Sequence, residues 1–133
     1  METTRTVLIV TDGVTETKDL AERIAGELSN YRVTIKDAAD FEGTDLLPAD
    51  LCFFGCDKPN PPSFAYLQKL LRHINLAGRP CGLFSSGSPE AIEYLSNLVR
   101  DSEMILGSDP LYARGVKNIS SWVGALANNI RRN

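Results

Sequence analysis

Apolar residues gather along this chain in two rhythms: short unbroken runs, and longer stretches in which they return every three or four positions. The first run, Thr6 to Val10 (TVLIV), is aliphatic and β-branched on both faces, the pattern of a buried strand. Small polar residues around Gly13 end it, and a helical rhythm follows at Leu20, Ala21, Ile24, Ala25 and Leu28. Thr15 is placed to cap that helix, with Glu16 and Asp19 complementing the dipole in its first turn. Residues 6–28 therefore predict a strand, a tight loop and a helix.

The same alternation continues. Arg32 to Asp37 (RVTIKD) alternates apolar and polar positions, which predicts a half-buried strand at a sheet edge. Residues 38–50 are too few for a full helix and two loops, so the crossover there is expected to be abbreviated. Leu51 to Cys56 (LCFFGC) is a second doubly buried run and ends in DKPNPP, a loop stiffened by three prolines. A helix follows with Ser63 as candidate cap and Phe64, Leu67, Leu70, Leu71 and Ile74 as its inner stripe, stopping near Gly78.

Cys81 to Ser86 (CGLFSS) reads as the next strand, and Ser88, Pro89 and Glu90 as a helix start whose inner face carries Ile92, Leu95, Leu98 and Val99. A short strand at Met104 to Leu106, the loop GSDPLYARG and a helix from Ile119 to Arg131, facing inward with Trp122, Leu126 and Ile130, close the pattern. The order β α β β α β α β α predicts an α/β fold over residues 1–133. It is a single three-layer domain built on a doubly wound five-stranded parallel sheet of order 2-1-3-4-5.

Such a sheet binds ligands beyond the carboxyl ends of its strands, where the strand order reverses. Three loops meet there: Thr11 to Thr15, Cys56 to Ser63 and Ser85 to Ser88, with Asp109 to Tyr112 further along the same edge. In the first, the amides of Gly13 to Glu16 at a helix start form a potential anion nest, with the hydroxyls of Thr11, Thr15 and Thr17 as further donors. A glycine there lets a phosphate approach the backbone closely.

Composition narrows the partners. A net charge of −3 without a clustered basic face argues against nucleic acid. No segment approaches the ~20 apolar residues of a membrane span, and residues 1–12 lack the apolar core of a secretory leader, so the expected location is cytoplasmic. Cys52, Cys56 and Cys81 lie in apolar runs without CxxC spacing, which indicates neither a disulfide framework nor a zinc site. His73 is alone and no histidine neighbours Ser85, Ser86 or Ser88, so serine-hydrolase chemistry has no support.

In this setting VTDGVT (residues 10–15) resembles the opening loop of the flavodoxin-like family, S/T-x-T-G-x-T, with Gly13 and Thr15 matching its glycine and final threonine. The phrases DLCFFGC and AGRPCGLFSSGS are similar to the family's third strand and to the glycine-rich edge leading into its fourth. The resemblance covers nearly the whole chain. It implies flavin mononucleotide (FMN) as cofactor, with Thr11, Asp12, Gly13, Val14, Thr15 and Glu16 around its phosphate. Gly55, Cys56, Asp57, Lys58, Ser85, Ser86 and Gly87 would then flank the ring.

Two features depart from the family pattern. Asp12 and Val10 replace hydroxyl residues, and a carboxylate about 5 Å from a phosphate charge costs roughly 3 kcal/mol at an effective dielectric of about 20. The loops CDKPNPPS and SSGSPE also lack the aromatics that usually sandwich the ring, so Phe64, Tyr66 or Tyr112 would have to reach in. Two functions remain open: an FMN protein acting in electron transfer or in a flavin-dependent reductase system with a redox partner, or a flavin-free module that binds a protein or regulatory partner. A phosphorylated receiver shares the strand order, and Asp57 ends strand three, but only Asp12 is present where that chemistry needs an acidic pair.

Overall fold

The computed structural model describes residues 5–40, 42–46, 48–73, 76, 79–85, 89–100, 102, 105–106, 111–112 and 123. In chain order the elements are β1 (Thr6–Thr11), α1 (Thr15–Gly26), β2 (Arg32–Asp37), α2 (Gly43–Leu46) and β3 (Leu51–Gly55). They continue with a 3-10 turn (Pro62–Phe64) running into α3 (Ala65–His73), then β4 (Pro80–Ser85), α4 (Pro89–Arg100), β5 (Ile105–Leu106) and β6 (Leu111–Tyr112). The sheet is parallel throughout, in the order β2-β1-β3-β4. Beyond β4, the expected fifth strand is represented among the described residues by two two-residue segments, β5 and β6, which pair in parallel with the start and the end of β4.

The period-two pattern of the strands divides the core between two faces. Leu8, Val10, Cys52, Phe54, Cys81 and Leu83 point to the side covered by Phe64, Leu67 and Leu71 and by Ala91, Ile92, Leu95 and Val99. Val7, Ile9, Leu51, Phe53 and Phe84 point to the other side and pack on Leu20, Ala21, Ile24 and Leu28 together with Val123. Each such Leu, Ile or Phe contributes on the order of 1.5–3 kcal/mol by leaving water, which clamps the helices to the sheet. β2 is the edge strand that its alternating pattern predicts, and Ile35 on it is 36% exposed.

The short crossover after β2 contains a single turn of helix, α2, and Arg79 holds it by donating Nη1–H to the carbonyls of Leu46 (3.4 Å) and Ala49 (3.0 Å). Two expected caps are corrected. Val14, extended at φ −72° and ψ 138°, precedes α1 without a side-chain cap bond, so Thr15 is the first helical residue rather than the cap. Pro61 precedes the 3-10 turn, which frees Ser63 from capping. The expected cap Ser88, the stripe residue Ile74, Met104 and, apart from Val123, the helix over residues 119–131 lie outside the described residues. Among the described residues no helix is long and apolar enough to cross a membrane.

Candidate functional site

One row of residues crosses the carboxyl end of the sheet. Asp37 of β2 is in register with Thr11 of β1, Thr11 with Gly55 of β3, Gly55 with Phe84 of β4, and Phe84 with Leu111 of β6. The chain leaves this row through the three loops that the sequence singles out. Between the first two lies a cleft of about 440 Å3 lined by Asp12, Val14, Asp57, Lys58, Pro59, Asn60, Pro61, Pro62 and Ser63. That volume is within the range of small-molecule sites, and the cleft sits where the strand order reverses between β1 and β3.

Asp12 organises the cleft. Its Oδ1 accepts the amide of Val14 at 3.0 Å, and its Oδ2 accepts the amide of Asp57, 45 residues away, at 2.8 Å. Ser63 adds a hydroxyl bond to the Asp12 carbonyl at 3.3 Å, so both loops close on this one residue. Hydrogen bonds to an ionised acceptor each contribute about 1.5–3 kcal/mol, enough to set the spacing of the loops. Gly13 permits the turn with φ +85°, and a Cβ there would lie 2.6 Å from Asp37 Oδ2. Its amide faces Thr11 Oγ1 at 3.3 Å.

On the opposite wall the polypeptide is held rigidly. Asn60 adopts a left-handed φ of 54° between Pro59 and Pro61, and its Oδ1 accepts Gln68 Nε2 at 2.9 Å. Gln68 Nε2 also bonds the hydroxyl of Tyr94 on α4. The loop is thus tied to two helices, with little conformational entropy left to lose on meeting a ligand.

The site residues proposed from sequence divide accordingly. Asp12, Val14, Asp57 and Lys58 line the cleft, and Thr11, Gly13, Thr15 and Glu16 form the turn and helix start beside it. Cys56 does not line it. Its side chain is fully buried in the α3/α4 core, and burial, reinforced by the charges of Asp12 and Asp57, pushes its thiol up to about 12. Gly55 lies under Phe84, whose ring occupies the space of a Cβ. Ser85 is buried, Thr17 is buried on the inner face of α1, and Ser86 and Gly87 lie outside the described residues.

Phe64 and Tyr66 do not line the cleft, and the side chain of Tyr112 lies outside what the structure describes. Phe64 is fully buried and packs on Tyr94, with ring centroids 6.2 Å apart, and Tyr66 turns towards α2, where its hydroxyl accepts the Gly43 amide at 3.3 Å. Pro59, Asn60, Pro61, Pro62 and Ser63 form the wall instead. The proline run was the available signal for them, since a stiff loop at a strand's carboxyl end makes a preformed wall. Asp37 escaped notice because only tertiary pairing brings β2 against the Gly13 turn.

No family model and no curated protein matches the chain. Solved structures do. A short-chain flavodoxin associated with a non-canonical bacterial microcompartment superposes with a TM-score of 0.84 at 14% identity, over 95% of this chain and 99% of that one. The oxidised form of Bacillus cereus flavodoxin 2 gives 0.81 at 20% identity, over 92% and 98%. A variant of the Fusobacterium nucleatum flavodoxin bound to flavin mononucleotide gives 0.69 at 12% identity, over 97% and 96%.

The fold is flavodoxin-like. On a flavodoxin-like backbone the loop after β1 is the expected phosphate nest, and its donors here are already partly engaged. Val14 gives its amide to Asp12 and Gly13 faces Thr11, which leaves the amides of Thr15 and Glu16, without acceptors inside the helix, and the exposed Thr15 hydroxyl. The carboxylates of Asp12 and Asp37 flank this turn. The cleft has the size and position for a ring; its anion end does not fit a phosphate dianion.

Proposed function

We propose that the chain binds a flavin at this edge and serves in electron transfer or in a flavin-dependent reductase system, docking a redox partner there. The observation that supports this reading is the preformed cleft of about 440 Å3 between the loops after β1 and β3, at the reversal of a flavodoxin-like sheet. A bound flavin supplies one- and two-electron redox chemistry. The backbone of Asp57 and Lys58 would border its ring and the negative charge of Asp12 and Asp57 would bias its potential downward. FMN is the starting ligand for the test. Protein mixed with FMN or with riboflavin and desalted should retain a visible flavin band from at least one of them, and a folded protein that stays colourless with both would end this reading.

The Asp12 bridge and the aromatic-free wall favour a second reading, in which the flavin is lost and the edge serves a regulatory protein partner. Asp12 holds the loops in place without any ligand, so the module is already shaped for such a role. A protein that takes up no flavin and keeps its full stability would select it.

A further inference from the structure

We propose that Asp12 makes this site selective for a flavin without a phosphate, so that riboflavin, or another neutral polyol-bearing flavin, binds in preference to FMN. The inference rests on the flavin reading and specifies its ligand.

Three observations carry it. The Asp12 carboxylate is not turned away from the loop: one oxygen takes the Val14 amide, the other the Asp57 amide. It therefore occupies, as an internal anion, donors that the nest would otherwise offer to a phosphate. Asp37 lies against the same turn, its Oδ1 held by the Ala39 amide at 3.1 Å and its Oδ2 beside Gly13. The cationic residue on the cleft wall, Lys58, is exposed on the far loop, where solvent screens it.

A phosphate dianion entering this end meets like charge while losing its own hydration. One unfavourable unit-charge pair at about 5 Å and an effective dielectric of about 20 corresponds to on the order of a hundredfold in affinity. A polyol end meets the opposite situation. An ionised carboxylate has about four lone-pair directions, and the two amides use one on each oxygen. The remaining directions accept hydroxyl protons from a neutral ligand without disturbing the bridge between the loops.

The test measures flavin-fluorescence quenching by the protein with riboflavin and with FMN, in wild type and Asp12→Thr, at low and at moderate salt. Riboflavin is expected to bind wild type at least tenfold more tightly than FMN, with added salt improving FMN alone. Asp12→Thr is expected to raise FMN affinity at least tenfold and, by removing acceptors for the polyol, to weaken riboflavin, so that the riboflavin-to-FMN preference falls at least tenfold. Asp12→Asn, which keeps the shape and one acceptor, serves as a second variant if Asp12→Thr fails to fold, and it should narrow the riboflavin preference in the same direction. FMN binding wild type as tightly as riboflavin, or an unchanged ratio in the variants, overturns the inference and leaves the flavin reading standing. No quenching by either flavin in any of the proteins overturns both.

Discussion

Gly55→Ala tests whether the edge beside the cleft is set by packing rather than by ligand. Gly55 and Phe84 are register partners on β3 and β4, and a Cβ on Gly55 would lie 2.1, 2.2 and 2.6 Å from three atoms of the Phe84 ring, where ordinary contact is 3.4–4 Å. Phe84 is fully buried against the α1 face of the sheet, so its ring has no free volume to enter. A shortfall of more than 1 Å belongs at the upper end of overpacking costs, about 3 kcal/mol. The lower entropy of the unfolded alanine chain offsets roughly 0.5 kcal/mol of this. The net loss of about 2–3 kcal/mol should lower the urea midpoint by about 1 M and Tm by roughly 7–10 °C. Phe84→Leu alone should cost about 1–2 kcal/mol, yet added to Gly55→Ala it should cost nothing further, giving a coupling energy above about 1 kcal/mol. A Gly55→Ala protein within about 0.5 kcal/mol of wild type, or a strictly additive double variant, would refute the reasoning.

Three further outcomes are expected. Gly13→Val forces a β-branched residue to φ +85° against Asp37; it should cost about 2 kcal/mol, stay folded by circular dichroism and lose any flavin retention, and unchanged affinity would remove this turn from the site. Burial pushes the thiols of Cys56 and Cys81 from their ordinary 9.0 up to about 12. These shifts contribute stability that is fully present below about pH 9 and lost as pH rises towards 12, so urea midpoints should fall steeply across that window while native protein at pH 8 resists thiol reagents; rapid labelling of folded protein would contradict this. Asn60→Ala should cost about 1–2 kcal/mol through its left-handed φ of 54° and the lost Gln68 bond, and Asn60→Gly clearly less, an ordering that equilibrium unfolding reads directly.

The fold was legible because its signals are local and repeated. TVLIV, LCFFG and PCGLFS are apolar on both faces, which only a strand covered by helices on two sides can bury, and RVTIKD alternates as an edge strand must. The far edge was read less well: LYARG gave no strand signal, yet Leu111 and Tyr112 pair with the end of β4, because a two-residue bridge depends on its neighbour and not on its own pattern. At the site, the turn at Gly13 and the proline loop could be placed at the ligand edge from the strand order, whereas Cys56, set beside a ring by the resemblance, is the small core residue a free cysteine in an apolar run usually is. The pleat leaves its side chain on the α3/α4 face.

By itself, then, the sequence determined the alternation of buried strands and amphipathic helices, the parallel order and the edge at which loops converge, since hydrophobic periodicity and crossover length act within a few dozen residues. Tertiary structure alone decided what Asp12 does. A carboxylate in a phosphate-loop position can be a repelled bystander or an internal ligand, and the difference lies in whether an amide from elsewhere reaches its second oxygen. Asp57 does so at 2.8 Å across 45 residues, because β1 and β3 are sheet neighbours and their loops leave the same edge side by side.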